Sequence, residues 1–270
     1  MGHGTGVHKI AFAISFLRAV VWGITGASGI YLAKRTGVPL HVLVAVRALG
    51  VTLGPALFSG IVGRAVWSGN SQLLGVVGLF LMAFCEAVVP RVSLPKLMTA
   101  LFFLMGCTMA LLDSLNVTVL STVHGKHSSL PFSIFHAVYG LGGVLAPYLV
   151  VVAPNYCWEF LASCHGTLGL IILLRRLQHG KPSNWKVKIR GASNETSLKA
   201  DGPELRAGIP FRVMASGLAF IFFTEAAENA MGSWAFTYAA TTLRQPPIVA
   251  ALFPSTFYFT FTSCRMLLVV

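Results

Sequence analysis

Negative charge is what this chain has least of. Eight of its 270 residues are acidic against 20 Lys and Arg, and charged residues of both signs make up 10%. An ordinary soluble domain carries about 25% charged residues, so that class is excluded. With 55% hydrophobic residues, intrinsic disorder is excluded as well. The five cysteines, Cys85, Cys107, Cys157, Cys164 and Cys264, are odd in number and show no CxxC or CxxH spacing, which argues against a disulfide framework and against a zinc site. There is no phosphate loop, no GxSxG elbow, no HExxH helix and no heptad run. The glycines of WGITGASGIY follow no strand and make no dinucleotide fingerprint. His124, Lys126 and His127 share a short turn, but two histidines without a third ligand make no metal site. No catalytic constellation is left, so an enzyme is not expected.

What is present is apolar length. The mean hydropathy is +0.75. Runs near the roughly 20 residues that span a bilayer recur at 10–33, 41–63, 72–90, 97–122, 131–153, 157–175, 209–242 and 246–270. The first is too long for a signal peptide and is followed by no cleavage site and polar start. The expected fold is an all-α polytopic membrane protein of about eight spans. The net charge of +12 would suggest nucleic acid in a soluble chain. Here the basic residues lie between apolar runs, where they set orientation, and no nucleic-acid partner is expected.

One composition break divides the chain. Residues 175–208 hold eight basic and three acidic residues with almost no apolar periodicity. The expected layout is a six-helix bundle over 1–174, a basic linker over 175–208, and two helices of a second, incomplete bundle over 209–270. Placing the N-terminus inside puts eleven Lys and Arg on the cytoplasmic side against five outside, which favours that orientation. The sequons at Asn194 and Asn116 are then chance matches, one in a cytoplasmic loop and one in a span. Tyr156 and Trp158 stand where the sixth span begins, as interfacial aromatics.

Five of the eight acids, Glu86, Asp113, Glu159, Glu225 and Glu228, fall in or at the edge of spans. An ionisable group at the bilayer centre costs about 2.5–3.5 kcal/mol on insertion scales and normally faces a bundle interior or a wet cavity. Asp113 and Asn116 are i, i+3 in MALLDSLNVTVL and share a helix face. They can take a proton, a cation or a substrate hydroxyl, or clamp two helices together. Glu225, Glu228 and Asn229 follow i, i+3, i+4 in FFTEAAENAMGSWAFTYA, with Gly232, Ser233 and Trp234 one turn on. Two carboxylates so close favour a shared proton or cation.

His136, Tyr139, Gly140, Gly143 and Pro147 line one face of the fifth span. Its glycines, with the Gly142-x-x-x-Ala146 pair, allow close helix approach. Arg47 heads RALGVTLGP in the second span, with Gly50-x-x-x-Gly54 below it, and Arg265 lies in the eighth. If the linker separates equivalent bundles, the second and eighth spans correspond and both carry an arginine in an apolar run.

Several segments, in order, resemble the major facilitator superfamily, in the branch of sodium-dependent glucose transporters and fucose:proton symporters. They are GITGASGIYLAKRTGVPL, RALGVTLGPALFSG, LLDSLNVTVL, FHAVYGLGGVLAPYL, TEAAENAMGSWAFTYA and FTFTSCRMLL. The resemblance implies a rocker-switch transporter with its solute held between two six-helix halves. It implies that Asp113 and Asn116 line the cavity and that the stripe of Glu225, Glu228 and Asn229 faces them. The loop after the second span reads Gly60-Ile-Val-Gly-Arg64 and lacks the acid usual there. Taken together, the expected solute-binding and ion-binding residues are Asp113, Asn116, His136, Tyr139, Glu225, Glu228, Asn229 and Trp234. The structural or gating residues are Arg47, Gly50, Gly54 and Arg265.

The expected function is secondary active transport of a sugar or similar polar solute by a truncated chain. No cofactor is expected beyond a coupling Na+ or H+, and the plasma membrane is favoured over an internal one. The competing reading is a non-transporting membrane scaffold, or a partner of a full-length transporter.

Overall fold

A computed structural model describes residues 4–179 and 211–267. The eight long helices are α1 (Gly4–Thr36), α2 (Leu40–Trp67), α3 (Ser71–Val88), α4 (Pro95–His124), α5 (Ser129–Val152), α6 (Cys157–His179), α7 (Phe211–Thr241) and α8 (Pro247–Leu267). Glycines close three of the connections: Gly37, Gly69 and Gly125 have φ of 72°, 71° and 51°, a backbone region that side chains resist and that stops a helix. Pro95 and Pro247 open α4 and α8, where the missing N–H costs nothing. The basic segment lies outside the described residues from 180 to 210, Asn194 with it.

The chain is an all-helical polytopic membrane protein. Among the described residues, seven helices, α1 to α6 and α8, are long and apolar enough to cross a bilayer. The expectation of eight spans is met in length and not in hydropathy. α7 runs for 31 residues, but Glu225, Glu228 and Asn229 occupy its middle and leave it outside that set.

The helices pair off. α1 packs on α5, α2 on α4, and α3 on α6; α7 lies on α1, α8 lies on α5, and α7 and α8 touch each other. The main core gathers Val21, Trp22, Met105, Ala146, Leu161 and Phe236 from five helices. Trp158, expected at an interface, is 3% exposed and belongs to this core, whereas Tyr156 is 72% exposed.

Two of these crossings are built alike. A Cβ added at Gly142 of α5 would strike the carbonyl of Phe16 in α1, and one added at Gly50 of α2 would strike the carbonyl of Phe103 in α4. One turn on, Gly23 of α1 stands against the methyl of Ala146, and Gly54 of α2 against the methyl of Ala110. Phe16, Ala19 and Gly23 thus correspond to Phe103, Gly106 and Ala110, and Gly142 and Ala146 to Gly50 and Gly54. The match extends along RALGVTLGPA from Arg47 and YGLGGVLAPY from Tyr139, which share Leu49 with Leu141, Gly50 with Gly142, Leu53 with Leu145 and Pro55 with Pro147. All four of those leucines are exposed on the outer surface. The two crossings thus correspond residue by residue, α1 with α4 and α2 with α5.

Candidate functional site

Polar side chains gather where α1, α2 and α5 meet α7 and α8, and α4 joins them through its ion pair with α1. Arg18, Trp22, Asp113, Tyr139, Glu228 and Tyr258 each lie near the middle of their helix. Insertion into lipid makes such groups expensive, so where each one points decides what it can do.

Arg18 of α1 and Asp113 of α4 form an ion pair through Nη1 and Oδ1. Their side chains are 15% and 41% exposed, so the pair has a sealed basic end and an open acidic end. The Arg18 guanidinium also lies 5.0 Å from the ring centre of Tyr139 and 6.0 Å from that of Phe135, within reach of a cation–π attraction. Asp113 is therefore neutralised by a residue on another helix. Asn116, one turn along α4, is buried.

Tyr139 meets Tyr258 of α8 edge to face, ring centres 6.4 Å apart. The glycines of α5 make room for this contact. Gly143 lies under the Tyr258 ring, and Gly140 lies against Thr262, as the small-residue face of the fifth span anticipates. His136 is half-buried with its ring edge-on to Phe135, centres 5.5 Å apart.

The second cluster centres on Arg47 of α2. Its side chain has no exposed surface. The guanidinium is stacked 3.8 Å from the ring centre of Trp22 in α1. Its Nη2 donates to Ser233 Oγ of α7 at 3.4 Å, a long bond. Nε and Nη1 of Arg47 and Nε1 of Trp22 are buried with no hydrogen-bond acceptor among the described residues. α7 reaches this point because it is stripped of side chain there: a Cβ on Gly26 of α1 would meet the Gly232 carbonyl and Ser233 Cα. Gly232 itself faces Trp22 and the Tyr258 hydroxyl, and Thr237 donates to the Gly26 carbonyl at 3.3 Å.

The expected site residues thus divide. Asp113, Asn116, His136, Tyr139 and Arg47 surround the convergence, and Glu228 is buried on α7 at 6% exposure. Asn229 is half-buried, and Trp234 is 37% exposed, at the edge of the cluster. The side chain of Glu225 lies outside the described residues. Gly50 and Gly54 serve the α2–α4 crossing. Arg265 stacks on Phe261 of its own helix, 4.0 Å from the ring centre, an environment unlike that of Arg47.

Sequence reasoning left several partners unassigned. Ser233 and Trp22 are ordinary span residues until Arg47 is seen against them. Glu86 of α3 and His165 of α6 form a fully buried pair, Nδ1 to Oε2 2.9 Å, with exposures of 0% and 1%. His165 Nδ1 also lies 3.2 Å from the Leu161 carbonyl. Three spans apart in the chain, the two residues carried no local signal of this pairing. At the other end of the bundle, His8 and His124 touch through their Nε2 atoms at 2.8 Å. Among the described residues no group of three or more His, Cys, Asp or Glu is arranged to hold a metal ion. No family model, no curated protein and no solved structure matches this chain.

Proposed function

We propose that this protein is a secondary transporter of the major-facilitator type, moving a sugar or similar polar solute with a coupling Na+ or H+. The observation that carries the reading is that charged side chains stand inside apolar helices: Arg47 of α2 and Glu228 of α7 are buried, and Arg18 of α1 pairs with Asp113 of α4. Charges are placed so deep in apolar helices when they surround a path for a polar cargo. The corresponding crossings of α1 with α5 and α4 with α2 add support, because internal repeats underlie many transporter folds.

In this reading the open end of Asp113 and the neighbouring Asn116 accept and donate hydrogen bonds to solute hydroxyls. Tyr139 and Tyr258 supply stacking faces. Glu228, buried on α7, takes the coupling cation. The distribution of Lys and Arg orients the N-terminus to the cytoplasm.

Reconstituted vesicles loaded with buffer and given labelled hexose test this directly. A Na+ or proton gradient is expected to drive accumulation. Asp113→Asn, which keeps the shape and removes the charge, is expected to lower the uptake rate by about tenfold or more, the worth of a charged hydrogen bond. Uptake that ignores both gradients, or that Asp113→Asn leaves intact, would remove the reading.

A further inference from the structure

The sugar reading does not use the chemistry of Arg47. A guanidinium carries five N–H donors and accepts nothing. Taking it out of water is costly unless an acceptor or counter-charge replaces the lost hydration. Here it receives the face of Trp22 and a long bond to Ser233. Among the described residues Arg47 forms no ion pair. Two of its nitrogens and the indole Nε1 beside it are left as donors without acceptors.

The unmet nitrogens are one-sided in kind. Nε and Nη1 of Arg47 and the Trp22 indole N–H only donate, and the Ser233 hydroxyl is already used as the acceptor of the Arg47 Nη2 bond. Unmet donors on a buried cation match a group that only accepts and carries negative charge. A neutral sugar hydroxyl brings a proton of its own and would leave the charge unmatched. Carboxylate and phosphate oxygens bring acceptors in the fork geometry that a guanidinium fits.

We propose that Arg47, Trp22 and Ser233 form a seat for an anionic oxygen group, a carboxylate or a phosphoryl, carried by the solute. The proposal rests on the transporter reading and narrows it: the cargo is an acidic polar molecule such as a sugar acid or sugar phosphate, in place of a neutral hexose. The solute's hydroxylated body then lies toward Tyr139, Tyr258 and Asp113, and its acidic group lies on Arg47. Because the guanidinium is sealed at 0% exposure, the seat fills only when α7 withdraws from α1. That contact is made by Gly26, Gly232 and Ser233, small residues that part and re-form without unlocking large side chains.

Binding to the purified full-length chain in nanodiscs tests this without requiring transport. The probes are glucuronate, glucose 6-phosphate and glucose, followed by tryptophan fluorescence and by the rise in thermal midpoint. At least one anion is expected to bind about tenfold or more tightly than glucose, and the stronger of the two shows whether carboxylate or phosphate is preferred. Arg47→Lys retains the charge and loses the fork, and is expected to weaken the anion about tenfold. Trp22→Phe retains an aromatic face, loses the donor and is expected to remove the fluorescence change. Arg64→Gln, at an exposed position near the end of α2, is the control and leaves binding unchanged.

Glucose binding as well as either anion, neither anion binding, or anion binding indifferent to Arg47→Lys overturns the seat. If Arg47→Lys does not fold, the wild-type ranking and Trp22→Phe still decide. Gradient-driven uptake of a neutral hexose with no anion preference ends this proposal and leaves the transporter standing. Anion binding with no gradient-driven uptake of any of the three probes does the reverse.

Discussion

Gly106→Leu is expected to leave no monodisperse folded protein after detergent extraction, whereas Gly63→Ala is expected to raise the thermal midpoint. A Cβ at Gly106 would meet the Arg47 carbonyl, and would stand 3.0 Å from Val51 N and 3.1 Å from Arg47 C. All three are backbone atoms of α2, so no rotamer relieves the clash and the helices must separate. Facing it, a Cβ at Gly50 would stand 2.9 Å from Cys107 N and 3.1 Å from Gly106 Cα. The smallest change, Gly106→Ala, is expected to cost about 3 kcal/mol, the upper end of overpacking. Leucine adds three more carbons to the same gap, against a total stability of about 5–15 kcal/mol for a typical fold. Gly142→Leu at the corresponding α1–α5 crossing is expected to behave in the same way. At Gly63 nothing lies within 4 Å of an added Cβ. There alanine only removes backbone freedom, a gain of up to about 1 kcal/mol. Size-exclusion profiles and thermal unfolding of the four variants measure the contrast, and equal behaviour of Gly106→Leu and Gly63→Ala would contradict the crossing.

The second large effect concerns Glu86 and His165. Glu86→Leu is expected to cost about 3–5 kcal/mol, since it leaves a 1%-exposed imidazole facing hydrocarbon without its partner. Glu86→Gln is expected to cost only about 1 kcal/mol, because an amide oxygen still accepts from the imidazole. The double change Glu86→Leu with His165→Phe removes both polar groups and is expected to recover most of the loss. Denaturant unfolding of the two single variants and the double variant gives the coupling energy. Additive losses would mean that the contact across α3 and α6 contributes nothing specific.

The positions of the helices were largely legible in the sequence, because hydropathy is a local signal. The run at 131–153 became α5 over Ser129–Val152, and the run at 209–242 became α7 over Phe211–Thr241. Errors at the ends have a common cause: hydropathy marks contact with lipid, whereas a helix continues as long as its carbonyls are bonded. α6 runs on past Arg175 to His179, with Arg176 bonded to Asn70 Oδ1 at 2.8 Å, and α1 starts at Gly4 among polar residues.

Partners across the bundle were not legible. Arg18 and Asp113 were both conspicuous, but 95 positions of chain separate them, and nothing local says which of several charges each will meet. Trp158 was misassigned for the same reason, since its indole looks interfacial until α6 is packed against the core. The match of the second span with the fifth was present in the sequence as RALGVTLGPA and YGLGGVLAPY but went unread, because the comparison made was of the second span with the eighth through Arg47 and Arg265.

That match has a mechanical consequence. Two crossings built on glycine at the same relative positions share one tolerance for bulk: a side chain added at Gly142 or at Gly50 presses on the backbone across its own crossing, so the pair of contacts is vulnerable to the same kind of substitution in two places.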